Sequence, residues 1–344
     1  MSDPRSKPRC SIVIPTRDRL DALERCLRSL AGIDPGLAEV LVGVDGPDAG
    51  EAGVVSRLGS RARVLTGQPG GPGAARNRAI LEARGEVLLL LNDDVEASPG
   101  LVEAHLRAHD ERGRGSPAMV LGSAPWAVHE PDRVFDRLIR ETSMVFFYDT
   151  MDDADPGRDW GFRHAWTLNL SVPKAVARES AGPRGRGVFD ESLPDAAFED
   201  LEWAWRVRER TGAPVLYRPD ASVTHHHRYE PRAYFERERR LGRDAWALAG
   251  ANPACAREVF GRDVRTREEV EYSEAFVARE RVTVGRLEAA FLRQVARPAA
   301  SATGELIEAL YGQHLLIKRW HWRCGLLEGA GKRHHAGEPE PHAA

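Results

Sequence analysis

The stretch Val87-Leu88-Leu89-Leu90-Leu91-Asn92-Asp93-Asp94 decides how this chain is read. Residues 86–91 form a short run that turns fully apolar, without alternation. That predicts a strand buried on both faces, the kind found in parallel sheets covered by helices. Three polar residues then close it. Upstream, Ser11-Ile12-Val13-Ile14 closed by Pro15 predicts a first strand. Leu20, Leu23, Leu27 and Leu30 recur at helical spacing before Gly32, where the helix should end. Val40-Leu41-Val42-Gly43-Val44 predicts a second strand that stops at the turn Asp45-Gly46-Pro47, and Arg63-Val64-Leu65 a third. Residues 67–73, Gly-Gln-Pro-Gly-Gly-Pro-Gly, predict a loop running into a helix from Ala74. Strand–helix alternation of this kind predicts an α/β layer.

Downstream, 119–122 and 165–172 predict strands and 132–147 a helix. Residues 152–161 predict a mobile polar loop, and a helix opens at 198–206. A final strand pair is expected at 215–217 and 221–225. From Pro231 the chain turns helical and rich in Arg and Glu. At ~150 residues per domain, 344 residues make two domains or one large α/β domain with an appendage. Lys and Arg number 49 against 52 Asp and Glu, leaving −3. This is not the basic excess of a nucleic-acid binder, so no nucleic-acid partner is expected. The four cysteines, Cys10, Cys26, Cys255 and Cys324, are too scattered for a disulfide framework and read as buried thiols in a reducing compartment. The N-terminus lacks a signal-peptide run, and the longest apolar stretch falls far short of the ~20 residues of a membrane helix. A soluble, cytoplasmic protein is expected.

In an open parallel sheet, ligands sit beyond the carboxyl ends of the strands. Pro15-Thr16-Arg17, Asp45 and Asn92-Asp93-Asp94 all fall there. Asp93 and Asp94 repel each other unless a cation or hydrogen-bond donors compensate. Mg²⁺ or Mn²⁺, shared with substrate phosphate oxygens, suits such ligands; a solvated turn is the alternative. The glycine loop leading to Arg76 reads equally as a phosphate site at a helix N-terminus or as a structural loop. Glu199-Asp200, beside Trp203 and Trp205, reads as a helix cap favoured by the macrodipole or as a general base. Of His225, His226 and His227, the first and third share one side of a strand, and one of them can complete a metal shell.

Taken in order, Ser11-Ile12-Val13-Ile14-Pro15-Thr16, Val42-Gly43-Val44-Asp45-Gly46, Gly73-Ala74-Ala75-Arg76-Asn77, Leu89-Leu90-Leu91-Asn92-Asp93-Asp94-Val95, Thr167-Leu168-Asn169-Leu170-Ser171 and Phe198-Glu199-Asp200 resemble family 2 glycosyltransferases of GT-A fold. The resemblance spans roughly residues 10–250. It implies a Rossmann-like, mixed and mostly parallel sheet flanked by helices. The expected layout is a catalytic domain over 8–250, a helical extension over 251–328 and a disordered tail over 329–344. It implies that Pro15, Thr16, Arg17 and Asp45 line a nucleotide pocket, that Arg76 lies near the base or phosphates, and that Asn92 and Asp93 face the nucleotide. Asp94 would bind a divalent cation, Mn²⁺ or Mg²⁺, with His225 as a third-ligand candidate and His227 as its backup. Asp200 matches the catalytic base. Thr167, Leu168, Asn169, Glu199 and Trp203 are expected around the donor sugar and acceptor. The family often has Asp where this chain has Asn92, and Gly where it has Leu168.

The implied reaction is inverting transfer of a hexosyl or deoxyhexosyl group from a nucleoside-diphosphate sugar, UDP-linked by default. The acceptor is a hydroxyl on a glycan, a lipid-linked molecule or a small molecule, as in cell-envelope polysaccharide synthesis. The rival readings are a nucleotide-sugar-binding scaffold without turnover and a nucleotidyltransferase. Leu306, Ile307, Leu310, Leu316, Ile317 and Trp320 recur near helical spacing, with Lys318, Arg319 and Arg323 close by. This stripe reads as a face packed on the catalytic domain or on a second copy in a homodimer. The other reading is a helix in peripheral contact with the inner membrane face.

Overall fold

A computed structural model describes residues 7–113, 115–182, 187–193 and 195–332. The expected tail beyond residue 332 lies outside the described residues. In chain order the elements are β1 Cys10–Thr16, α1 Leu20–Ser29, β2 Ala38–Val44, α2 Glu51–Arg57, β3 Arg63–Leu65, α3 Gly71–Glu82, β4 Val87–Leu91, β5 Val95–Ala97 and α4 Leu101–Arg112. There follow β6 Met119–Ser123, α5 Val134–Glu141, β7 Asn169–Pro173, α6 Lys174–Glu179, α7 Glu199–Thr211 and β8 Val215–His225. The chain continues with α8 Pro231–Ala251, α9 Pro253–Phe260, α10 Arg267–Val295 and α11 Gly304–Gly329. The described residues form two compact units, 7–127 with 150–227, and 128–149 with 228–332.

The first unit is built on a mixed sheet ordered β3-β2-β1-β4-β7-β6-β8-β5. β1 pairs in parallel with β2 and β4, and β2 with β3. β7 runs antiparallel between β4 and β6, whereas β6 and β8 are parallel. β4 is buried along its whole length, as its unalternating apolar run predicts. β2 must carry Gly43, because a Cβ there would lie 2.2 Å from the Ala75 carbonyl oxygen of α3. The short Ala74-Ala75 face of that helix permits the same close approach.

Local differences from expectation have physical causes. The glycine loop is shorter than predicted because Pro72, in the first helical turn, lets α3 begin at Gly71. The expected strand pair near the end of the sheet is the single strand β8. Its register against β6 jumps from Arg218 opposite Gly122 to Ser222 opposite Ser123. After Asp94 the chain enters β5, which pairs antiparallel with β8 from Val95 opposite His225.

The helical unit begins earlier than residue 251, since α8 folds with it, as do residues 128–149 carrying α5. Its core gathers Phe135, Tyr234, Phe235 and Phe291, with Phe235 and Phe291 ring centroids 5.6 Å apart. The apolar stripe of α11 is spent inside this unit: Ile307, Leu310, Ile317 and Trp320 are buried there, and the Trp320 indole donates to the Val277 carbonyl at 3.1 Å. α8 and α11 touch backbone to backbone. A Cβ on Gly242 would sit 1.9 Å from the Trp322 carbonyl oxygen, and one on Gly325 1.7 Å from that of Arg239. Neither clash falls on a flexible side-chain tip. Gly325→Val is therefore expected to cost about 3 kcal/mol or more through overpacking. In a calorimetric scan that would read as a fall of roughly 6–12 °C in Tm; an unchanged Tm would refute the close crossing. All four cysteines are buried free thiols.

Among the described residues, no helix is long and apolar enough to cross a membrane.

Candidate active site

At the carboxyl end of β1 the chain passes from Pro15 and Thr16, both buried, into a turn where Asp18 adopts φ of 52°. Asp is among the few residues that tolerate this left-handed conformation. The turn sends the flanking arginines to different carboxylates. Arg17 Nη1 reaches Asp45 Oδ2 at 3.2 Å. Arg19 pairs with Asp93 Oδ1 at 2.9 Å and with Asp94 Oδ2. Thr16 Oγ1 donates to Asp93 Oδ2 at 2.7 Å. Asp45 Oδ1 accepts from the backbone N–H groups of Gly70 and Gly71 at 2.7 and 2.9 Å, so this carboxylate ties down the glycine loop.

Asp93 and Asp94 are buried at 3% and 5% exposure. Their like charges are resolved unequally. Burial, reinforced by Asp94 against the opposing pull of Arg19, pushes Asp93 up to about 6. Burial also works against charge on Asp94, but the imidazoles of His225 and His227 and the Arg19 guanidinium hold it well below the usual carboxylate range.

Strand alternation delivers the histidines. His225 Nε2 lies 3.5 Å from Asp94 Oδ1, and His227 Nδ1 3.4 Å from Asp94 Oδ2. His226, on the other side, turns to Glu96 at 3.0 Å. Trp126 packs on the His225 ring with centroids 4.2 Å apart. Among the described residues, no group of three or more His, Cys, Asp or Glu closes round one point as a complete metal shell. Asp94 Oδ1 is nevertheless buried without a hydrogen bond, an open carboxylate oxygen beside two imidazoles, while Arg19 holds its other oxygen; a carboxylate with imidazoles is a donor set of the kind divalent cations take.

At the start of α7, Asp200 is half-buried and its carboxylate accepts from the Leu201 N–H at 2.8 Å. Burial first, then the neighbouring Glu199 charge, raises it to about 7, with Arg76 opposing. Arg76 links the two halves of the site: Nη1 donates to Glu199 Oε1 at 2.9 Å and Nη2 to Asn92 Oδ1 at 3.2 Å. It is 3% exposed and acts as an internal strut between α3, α7 and the strand end that carries the aspartates.

Two of the expected pocket residues, Trp203 and Asn169, are fully buried. Trp203 is wholly buried against Phe189, with centroids 5.0 Å apart, and its indole donates to Ser180 Oγ. Helical phase turns it inward with Glu199, Glu202 and Arg206. Asn169 has 0% exposure and braces the sheet. Its amide donates to the Ser123 and Ala221 carbonyls, and its oxygen meets His105 Nε2 at 2.9 Å. Leu168 is buried as well; Thr167, also buried, gives its backbone N–H to the Asp200 carboxylate, and Glu199 is committed to Arg76. Arg19 was not among the expected site residues. Its signal was only its place four residues after Pro15, where a long side chain can fold back over the strand end. The Glu202–Arg206 pair, at 2.9 Å on the buried face of α7, is equally unmarked; in sequence it looks like an ordinary i,i+4 surface pair.

The fold of the chain is a mixed α/β sheet flanked by helices with a helical C-terminal region, similar to GT-A glycosyltransferases. Residues 11–157 match the family described as glycosyl transferase family 2, so the resemblance carried by the sequence motifs holds on that segment. A relative named pre-mycofactocin glycosyltransferase, from Mycobacterium tuberculosis, is 29% identical over 251 residues, covering 71% of this chain and 48% of the relative. The chain thus spans about half the length of that relative. The structure of S. aureus TarS 1-349 in complex with UDP-GlcNAc is similar with a TM-score of 0.51 at 15% identity, covering 95% of this chain and 93% of that one. The mannosyltransferase PcManGT from Pyrobaculum calidifontis, in complex with GDP-Man and Mn²⁺, gives 0.51 at 15% identity, covering 96% and 88%.

Proposed function

We propose that the chain transfers a sugar from a nucleoside-diphosphate sugar to an acceptor hydroxyl, with inversion at the anomeric carbon. One observation carries the reading. Arg76 joins Asn92 to Glu199, so the Asn92-Asp93-Asp94 strand end and the Glu199-Asp200 helix start are parts of one site. The first combines a charged carboxylate with two histidines; the second carries a carboxyl raised to about 7. Glycosyl transfer asks for that pair of functions, charge compensation for the departing diphosphate and a base for the incoming hydroxyl.

In this reading Thr16, Arg17, Asp45 and Asp93 form the nucleotide side of the site, and Arg19 adds a positive charge facing Asp93 and Asp94. Asp94 with His225 or His227 would hold a divalent cation, Mn²⁺ or Mg²⁺, which when bound would supply positive charge against the departing diphosphate. Asp200 takes the proton from the acceptor hydroxyl as that oxygen attacks the anomeric carbon from the face opposite the diphosphate. UDP-GlcNAc and GDP-Man, named with the fold neighbours, are nucleoside-diphosphate sugars of the proposed donor class. A cytoplasmic location, with the acceptor a glycan or a lipid-linked molecule, belongs to the same proposal.

The test is a thermal-shift screen of nucleoside diphosphates and their sugars with Mn²⁺. At a hundredfold excess over Kd, a matching donor stabilises the fold by about 2.7 kcal/mol through mass action, a rise of several degrees. Asp94→Ala is expected to lose the Mn²⁺-dependent part of that rise. No shift with any nucleoside diphosphate or nucleotide sugar would defeat the proposal. Release of pyrophosphate, in place of nucleoside diphosphate, would assign the site to nucleotidyl transfer instead.

A further inference from the structure

The face of α11 that is not spent in the helical core carries a second constellation. A cavity of about 300 Å³ is lined by Arg262, Leu315, Lys318, Arg319, Trp322 and Arg323, which reaches the lower end of the size range of ligand pockets. Five of these residues, at spacing i, i+3, i+4, i+7 and i+8, come from one side of α11. The sixth, Arg262, stands beyond the end of α9 with its guanidinium 5.9 Å from the Trp322 ring.

Positive charge here exceeds its local partners. Glu269 serves two arginines, Arg262 at 2.9 Å and Arg323 at 3.0 Å. Glu238 reaches Lys318 at 3.7 Å, but is shared with Arg237 at 2.9 Å. Arg319 donates to the Tyr272 hydroxyl at 2.7 Å and lies over the Phe276 ring at 4.8 Å; neither contact neutralises it. Arg323 is the innermost member: it is 4% exposed, stacked over Tyr272 at 4.4 Å, its Nη1 donates to Glu269 Oε1 at 3.0 Å and Ser273 Oγ at 2.6 Å, and its Nε is buried with no acceptor. A buried donor without a partner is uncommon and costly unless something supplies the acceptor. Beside these cations, Leu315 is 48% exposed, offering apolar surface at the same mouth.

We infer that this cavity binds a phosphate group, with Arg262, Lys318, Arg319 and Arg323 as its donors and Leu315 and Trp322 as an apolar flank. Arginine is suited to the task because its planar fork matches phosphate oxygens, and its stacking on Trp322, Tyr272 and Phe276 holds the fork in place. The phosphate can belong to an anionic lipid headgroup, whose acyl portion would meet Leu315 and Trp322, or to free phosphate. The inference does not depend on the sugar-transfer proposal, and its test uses no catalytic readout.

The full chain is mixed with phosphatidylcholine vesicles, with or without phosphatidylglycerol, and co-sedimentation is measured. In parallel, inorganic phosphate is titrated while Tm is followed. Two variants, Arg319→Glu and Arg262→Ala, are compared with Arg281→Glu, an exposed arginine of α10 outside the cavity. Each basic group near an anionic surface contributes roughly five-fold in affinity, so reversing Arg319 is expected to weaken binding about 25-fold. Arg262→Ala should weaken it about five-fold and Arg281→Glu much less. Binding to phosphatidylglycerol vesicles that is lost in Arg319→Glu identifies a lipid source. A phosphate-dependent rise in Tm that is lost in Arg319→Glu, without vesicle binding, identifies free phosphate. No response in either arm, or an equal loss in Arg281→Glu, overturns the site.

Discussion

Asp200→Asn is expected to lower kcat by about 10²–10⁴-fold, the usual worth of a positioned general base, while leaving nucleoside-diphosphate binding close to wild type. The amide keeps the size of the carboxylate and can still accept from the Leu201 N–H, but it cannot take a proton. The pH profile gives a sharper check. Asp200 is raised to about 7 by burial and by Glu199, so at lower pH it is protonated and unable to act as a base. For the wild type, kcat/KM should therefore climb about tenfold per pH unit below 7 and level off above it, since that ratio reports ionisations of the free enzyme. In Asp200→Asn the limb should vanish along with the rate. A variant that turns over normally, or a wild-type profile flat from pH 5 to 8, would remove Asp200 from the chemistry.

The parts of this site visible in sequence are those governed by local periodicity. The unalternating run ending at Leu91 announces a central strand, and the polar residues after it fall at the strand end. Alternation alone puts His225 and His227 on one side and His226 on the other, and the structure brings the first and third to Asp94. What sequence could not supply is the phase of segments whose both faces are chemically plausible. Asn169 and Trp203 are polar or aromatic residues in motif positions, and nothing local says that one braces a sheet and the other fills a core. Arg76 has the same ambiguity: a helix N-terminus with an arginine suggests an anion site, yet the side chain turns inward to Glu199, more than a hundred residues away. Arg19 depends entirely on how the chain returns to place Asp93 and Asp94 beside it. The unit boundary was hidden for a related reason. Residues 128–149 leave the α/β unit and fold with helices that begin at residue 231, a long-range pairing that composition does not mark.

Arg76→Met is the substitution with the largest expected effect on stability. Arg76 and Glu199 are both almost wholly buried and meet at 2.9 Å. Removing the arginine leaves the Glu199 carboxylate without its countercharge in the same place, and breaking one side of a buried pair typically costs about 3–5 kcal/mol. Asn92 also loses a donor. In an equilibrium denaturation the variant should lose most of that amount. The double variant Arg76→Met/Glu199→Gln should regain a large part of it, because the uncompensated charge is gone. A second readout separates this strut from a merely structural role. Arg76 is the charge that restrains the rise of Asp200; without it Asp200 should be protonated at still higher pH. In any Arg76→Met enzyme that folds, the ascending limb of kcat/KM should shift to higher pH. An unmoved limb, with stability lost, would confine Arg76 to holding α3, α7 and the aspartate-bearing strand end together; a shifted limb ties the strut directly to the proton that leaves the acceptor.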